Sequence, residues 1–254
     1  MEKYFDINKN KHSIRCKMYI EKHVQDVKSW VIATHGFGGD KESKGIKKLA
    51  ERVIAKYKGY GLIVFDWPSH GKDSRNKMIL DECLEYLDLV NHYALEELKA
   101  ERIYNYSISM GCYFTLLYIH RFGNPYAKVA LRSPALWFSE TLYNNLTPEE
   151  KVTLEKKKEV KTGYERKVTI TEDFIKELRE NDVAGYDYTP YFDKIIIIHG
   201  TRDQFISVGK VSEFADKNVL DFYPIKNADH PFTNPDCMDE AISDVITCFA
   251  PEKK

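Results

Sequence analysis

Several features that would place a chain in a special structural class are missing from this sequence. No window offers about 18 uninterrupted apolar residues, the length a membrane-spanning helix needs. Lys plus Arg total 38 and Asp plus Glu total 39, so the net charge is only -1 and no overall field attracts nucleic acid or an anionic membrane. There is no repeat of fixed period and no low-complexity segment. We therefore expect a globular protein that binds neither nucleic acid nor membranes.

Cysteine is also scarce and scattered, and no Cys-x-x-Cys pair is available to bind zinc or carry out redox chemistry. We expect these side chains to be reduced and mostly buried. The first residues, Met1 to Asp6, carry charges where a secretory signal needs an apolar stretch, so we expect a cytoplasmic protein. The five cysteines are Cys16, Cys83, Cys112, Cys237 and Cys248.

What the chain does contain is ample apolar material, 43% of its 254 residues, in alternating short and long segments. The short runs predict inner strands, and the longer segments have the three-to-four residue period of helices that cover a sheet. We therefore predict an α/β fold with a mostly parallel central sheet and helices on both faces. The predicted strands are Ser29–Thr34, Gly61–Phe65, Arg102–Tyr106, Lys128–Leu131, Lys194–Ile198 and one near Val219–Tyr223.

The pattern changes after Pro134, where strand signals weaken and aromatic residues are scattered. We predict a core of residues 1–134 and 188–254, with residues 135–187 forming a small helical cap inserted into it. Thr147 followed by Pro148 and Glu150 predicts a helix start, and a second short helix is expected after Thr171. The charged run Glu155–Lys161 is interpreted as a solvated helix face.

A serine stands at a predicted strand-to-helix junction, in the segment Ser107-Ile108-Ser109-Met110-Gly111. A serine on such a sharp turn has a strained backbone, so the residues two before and two after it must be small. Ser107 and Gly111 meet this demand, although glycine is the usual residue at the first position. Ser109 is therefore a candidate nucleophile. Ser107 is a rival, but two residues after it stands Ser109 and not a glycine.

Three further segments supply the other groups that acyl transfer through a serine requires. The segment HGFGG after the first predicted strand lets backbone amides turn inward, and the Phe37 and Met110 N–H groups are the expected pair of oxyanion donors. Asp203, at the end of a later strand, is the expected partner of His230, which lies in a loop after the last strand. Asp229 is the rival acid, but a residue adjacent to His230 reaches the far ring nitrogen poorly.

The motifs HGFGG, DWPSHGKD, SISMG, HGTRD and NADHPF occur in the order found in α/β-hydrolases, and the order serine, acid, histidine is typical of that fold. The chain resembles the α/β-hydrolase superfamily over nearly its whole length outside the insertion. Within it, the sequence is most similar to small bacterial carboxylesterases of the cinnamoyl or feruloyl esterase type, near the serine aminopeptidase-like and monoacylglycerol lipase-like groups. The resemblance implies Ser109 as nucleophile, His230 as base and Asp203 as its partner.

The expected substrate is a small-molecule carboxylic ester, with no metal and no organic cofactor. Aromatic residues of the insertion, Trp137 and Phe138 first among them, are candidate substrate-binding residues, although such residues more often pack cap against core. The same aromatic surface leaves a homodimer contact open. A peptidase or amidase, a monoacylglycerol lipase and a non-catalytic binding protein are the alternatives, because fold does not fix function.

Overall fold

The protein is described here by a computed structural model that covers residues 1–71, 77–163 and 166–251. Lys72 and Asp73 of the DWPSHGKD motif lie outside the described residues. Within these ranges the strands are β1 (Glu2–Lys9), β2 (His12–Tyr19), β3 (Ser29–Thr34), β4 (Tyr60–Phe65), β5 (Arg102–Ile108), β6 (Val129–Arg132), β7 (Glu159–Thr162), β8 (Val168–Thr171), β9 (Ile195–Gly200) and β10 (Asp221–Ile225). The helices are α1 (Lys44–Lys56), α2 (Leu80–His92), α3 (Met110–Phe122), α4 (Phe138–Asn144), α5 (Pro148–Lys157), α6 (Glu172–Glu180), α7 (Val208–Asn218) and α8 (Pro235–Cys248).

Eight of the described strands form one sheet in the order β1-β2-β4-β3-β5-β6-β9-β10. β1 pairs with β2 and β2 with β4 in the antiparallel sense, and every other pairing in the sheet is parallel. Helices α1 and α8 pack on one face and α2, α3 and α7 on the other. The predicted α/β fold with a mostly parallel sheet is confirmed, and the carboxyl ends of its parallel strands lie along one edge.

Inner strands of the sheet form because they are apolar on both faces. All six residues of β4 and all six of β9 are buried, as a parallel strand covered by helices on both sides requires. All five cysteines are free, and four of them are buried in this core. Among the described helices, none is long and apolar enough to cross a bilayer.

Residues between β6 and β9 form α4, α5, the antiparallel pair β7–β8 and α6. Helix α5 begins with a capping box, in which Thr147 Oγ1 accepts the Glu150 N–H and the Glu150 carboxylate accepts the Thr147 N–H. The interpretation of Glu155–Lys161 as a helix face is wrong in its second half. Helix α5 ends at Lys157, Lys158 turns the chain with a φ of 61°, and Glu159 opens β7.

The strand predicted near Val219–Tyr223 is also displaced. Val219 has a φ of 57° and ends α7, and the strand β10 begins only at Asp221. β10 lies at the edge of the sheet, which is why it tolerates Pro224, a residue that cannot donate to a neighbouring strand.

Candidate active site

The turn between β5 and α3 holds Ser109 in the unusual conformation that the sequence predicts for this position. Its φ is 52° and its ψ is -114°, a region that a residue with a Cβ adopts only under strain. A Cβ on Gly111 would lie 2.2 Å from Thr34 Oγ1, and one on Gly36 would lie 3.1 Å from the Ser109 Cβ. Small residues are therefore needed two positions after the serine and at Gly36 on the neighbouring loop, and the Ser109 hydroxyl lies within reach of His230.

Ser107, at the position where glycine is usual, is fully buried and serves as a hydrogen-bonding centre under this turn. Its hydroxyl donates to Asn105 Oδ1 at 2.7 Å and accepts from Thr34 Oγ1 at 2.8 Å. Thr115 Oγ1 lies 2.7 Å away and completes the cluster. The added hydroxymethyl group is thus accommodated by polar neighbours, and it does not face the opening that Ser109 faces.

Three side chains from three different loops meet at the carboxyl edge of the sheet. His230 Nε2 lies 3.0 Å from Ser109 Oγ, and His230 Nδ1 lies 2.7 Å from Asp203 Oδ2. With the imidazole Nδ1–H donating to the carboxylate, Nε2 is free to accept the hydroxyl proton of Ser109. This continuous chain of hydrogen bonds can carry a proton from the serine to a histidine whose positive charge the carboxylate then stabilises.

The Asp203 carboxylate is fully buried, yet it is held in its ionised form. Burial by itself raises the pKa of this carboxyl, but the hydrogen bond and charge of His230 and the backbone donors outweigh it, so the pKa lies below its usual value. Those backbone donors are the N–H groups of Phe205 and Ile206, each 2.9 Å from Asp203 Oδ1. One oxygen is therefore anchored to its own loop, and the other faces His230.

Two contacts that the sequence analysis did not identify hold the His230 loop in place. Ser133 Oγ donates to the His230 carbonyl oxygen at 3.1 Å, and the His230 N–H donates to Gln204 Oε1 at 3.4 Å. Ser133 itself has a φ of 49°, a second strained residue at the end of a strand. No sequence signal pointed to these contacts, because each joins segments that are far apart in the chain.

The other acidic and imidazole groups near the triad have different partners. Asp229 Oδ1 accepts the Thr233 N–H at 2.7 Å and so caps its own turn. His199 is completely buried, and its Nε2–H donates to the Ile206 carbonyl at 3.1 Å. Burial lowers the pKa of His199, so it supports the Asp203 loop as a neutral ring.

The two amides expected to face an oxyanion lie on the β3–α1 loop and at the start of α3. Within the described part of the chain, neither the Phe37 N–H nor the Met110 N–H has a hydrogen-bond acceptor. Gly38, with a φ of 75°, makes the turn that follows Phe37. Among the described residues these two backbone donors therefore stay available, one next in the chain to Ser109 and the other next to Gly36, which lies close to the Ser109 side chain.

The two candidate substrate-binding residues lie at the start of α4, with different exposure. Trp137 is half-buried, and Lys210 Nζ lies 5.4 Å from its ring centroid. Phe138 is 4% exposed, and its ring packs 6.1 Å from that of Phe37 and 6.0 Å from that of Tyr113. Across residues 1–71, 77–163 and 166–251, no three side chains of metal-ligating type come together.

Comparison with solved structures finds the same fold throughout the chain. Est1E from Butyrivibrio proteoclasticus, in its complex with ferulic acid, is 16% identical with a TM-score of 0.76, over 97% of this chain and 100% of that one. The esterase domain of a Rhodothermus marinus protein is 15% identical with a TM-score of 0.73, over 97% of both chains. The Pyrococcus furiosus esterase Pf2001 is 19% identical with a TM-score of 0.71, over 98% of this chain and 91% of that one.

No curated protein matches the sequence. A family model for the alpha/beta hydrolase fold matches residues 29–161, just over half of the chain, a span that includes β3, the β3–α1 loop and the Ser109 turn. The match agrees with the observed mostly parallel sheet, since β3 to β6 all lie within the matched residues and pair in parallel wherever β3, β4, β5 and β6 are neighbours. The chain therefore belongs to the α/β-hydrolase fold family.

Proposed function

We propose that this protein is a serine hydrolase that cleaves carboxylic esters through an acyl-enzyme. The observation that carries the proposal is the hydrogen-bonded chain Asp203–His230–Ser109, at 2.7 and 3.0 Å, with the serine on a strained turn. A serine hydroxyl alone is a poor nucleophile, and this arrangement supplies the base and the carboxylate that activate it.

In the proposed reaction Ser109 Oγ attacks the ester carbonyl carbon while His230 Nε2 takes the hydroxyl proton. The imidazolium then gives this proton to the leaving alcohol, and the acyl group stays on Ser109. A water molecule, deprotonated by the same nitrogen, attacks the acyl-enzyme, releases the carboxylic acid and restores the serine. Asp203 stays ionised throughout, consistent with its lowered pKa, and fixes the imidazole tautomer.

Negative charge collects on the former carbonyl oxygen during both attacks. We assign its stabilisation to the Phe37 and Met110 N–H groups, which have no acceptor among the described residues. Removing one donor of this kind typically reduces turnover by ~10² to 10³.

We place the acyl group against the start of α4, beside Trp137 and Phe138. Trp137 offers a half-buried ring, whereas Phe138 is too buried to offer more than an edge next to Phe37. A flat aromatic acyl group such as a hydroxycinnamoyl (feruloyl) group suits these rings, and Est1E, which shares the fold, has been solved with ferulic acid bound.

The proposal is tested by offering wild type and Ser109→Ala a panel of short-chain p-nitrophenyl esters, methyl ferulate, a monoacylglycerol and an aminoacyl anilide. We expect ester hydrolysis by wild type and a kcat lower by roughly 10⁴ to 10⁶ in Ser109→Ala. The best ester of the panel identifies the acyl preference. Hydrolysis that survives in Ser109→Ala, or turnover of the anilide alone, would overturn the ester hydrolase assignment.

A further inference from the structure

The loop that follows β4, residues 66–71, is bonded along its length to the β3–α1 loop, residues 35–41. Asp66 accepts the Lys41 N–H at 2.7 Å on one carboxylate oxygen and the Lys41 ammonium at 2.6 Å on the other. Trp67 Nε1–H donates to the His35 carbonyl at 3.0 Å. All of these groups are buried, so the two loops form one rigid unit beside Ser109.

Two imidazoles complete this unit, and their partners fix their tautomers. His70 Nδ1–H donates to the Pro68 carbonyl at 2.9 Å, which leaves Nε2 to accept the Gly38 N–H at 3.0 Å. His35 Nδ1–H donates to the Gly36 carbonyl at 2.8 Å, and its Nε2 accepts the Trp67 N–H at 3.4 Å. Each ring can accept in this way only while it is neutral, because a protonated imidazole has no free lone pair.

Burial keeps both rings neutral over the working pH range of most enzymes. It lowers the pKa of His70 to about 3, assisted by the nearby His35, and lowers that of His35 to about 4. The charged groups that face the pair are Asp40, Asp66, Lys41 and Arg166, and the two carboxylates only partly oppose the effect of burial. Near neutral pH the His70 ring is thus available to accept the Gly38 N–H.

The Phe37 N–H differs from the two amides that follow it in the β3–α1 loop. The next two amides along the loop are both used, Gly38 by His70 and Gly39 by the Gly36 carbonyl at 3.1 Å. The Phe37 N–H, which comes just before them, has no acceptor among the described residues, and the Phe37 side chain packs edge-on against the His70 ring at 5.8 Å. His70 therefore contacts both the backbone and the side chain that set the direction of this amide.

We propose that His70 is a positioning residue for the oxyanion site: by accepting the Gly38 N–H and packing against the Phe37 ring, it holds the Phe37 N–H in place for the transition state. This inference rests on the proposed ester hydrolysis. His70 touches neither substrate nor reacting atoms in this account, so it acts only through the loop. A donor displaced by about 1 Å can reduce turnover by ~10², which sets the scale of the expected effect.

The test compares two amide substitutions at the same position. In His70→Asn the side chain can still donate to the Pro68 carbonyl but is too short to accept from Gly38. In His70→Gln the longer side chain can place its Oε1 near the position of Nε2. We expect His70→Asn to lower kcat by about 10 to 100-fold with KM changed by less than about threefold, and His70→Gln to recover most of kcat.

Circular dichroism and thermal unfolding of both variants separate this effect from loss of fold. Equal kcat losses in two folded variants, or a loss confined to KM, would overturn the positioning role while leaving the ester hydrolase assignment intact. Failure of the proposed function itself gives a different result, since wild type would then hydrolyse no ester of the panel.

Discussion

The two aspartates nearest His230 differ in what their carboxylates contact. Asp203 directs one oxygen to the imidazole at 2.7 Å, whereas Asp229 accepts the Thr233 N–H of its own turn. In Asp203→Asn the amide can favour the wrong imidazole tautomer and can no longer stabilise the imidazolium. We predict that kcat for a p-nitrophenyl ester falls by about 10⁴, as substitutions of this type do in other triads.

Asp229→Asn is the matched control, because asparagine keeps an oxygen for the Thr233 N–H. Its kcat should stay within a few-fold of wild type. The assignment of the acid would be wrong if the two substitutions exchanged these effects in a steady-state assay.

Residues also differ in how readily the sequence reveals their roles. Ser109, Asp203 and His230 stand in recognisable motifs in the expected order, so they could be proposed as a triad from the sequence. Ser133 and Gln204, which hold the His230 loop, stand in no motif that reports their partners. The same is true of His70, whose bond to Gly38 spans 32 positions of the chain.

At the scale of the elements, the contribution of the paired loops after β3 and β4 to stability depends on pH, because each loop holds a buried histidine. The pKa values of His35 and His70 in the folded protein, about 4 and about 3, lie below the ordinary value of 6.5. Between these values and pH 6.5 the unfolded chain therefore binds more protons than the folded chain. The contribution of the neutral rings to stability is fully present above pH 6.5 and is lost as the pH falls below it.

We therefore predict that the free energy of unfolding falls by about 2 kcal/mol per buried histidine between about pH 7 and pH 5. Urea unfolding at both pH values measures the loss. His70→Gln, which cannot titrate here, should show a smaller loss than wild type. An identical pH dependence in the two proteins would mean that His70 is not kept neutral by the fold.

The sequence predicts elements that have a clear hydrophobic pattern of their own. It does not predict elements that form because they pair with another strand. The prediction Ser29–Thr34 agrees with β3 at both ends, because a run of apolar and β-branched residues suits a buried strand. By contrast, β1 has only one buried residue, so its pairing with β2 leaves little signal in the sequence. The turn at Lys158 could not be predicted either. The charged run around it has a helical pattern, but the chain turns there because β7 pairs with β8.

On the scale of the whole molecule, the segment between β6 and β9 shares its core with the rest of the chain. One continuous cluster of buried side chains contains both Phe138 and Phe174 from this segment and Trp30 and Trp67 from the sheet region. Polar contacts also join this segment to the loops after β3 and β4. The Thr169 N–H donates to Ser69 Oγ at 3.0 Å, and Arg166 forms an ion pair with Asp40. The segment is thereby attached to the same pair of loops that surrounds Ser109.

The measurement that tests the central claim most directly is covalent labelling with a fluorophosphonate, followed by mass spectrometry of the labelled peptide. Ser109 Oγ should displace fluoride and form a bond to phosphorus in wild type, because His230 activates this hydroxyl. Ser107→Ala should be labelled at the same residue, and Ser109→Ala should not be labelled. Label on Ser107, or no label on folded wild type, would contradict the assignment of Ser109 as the nucleophile.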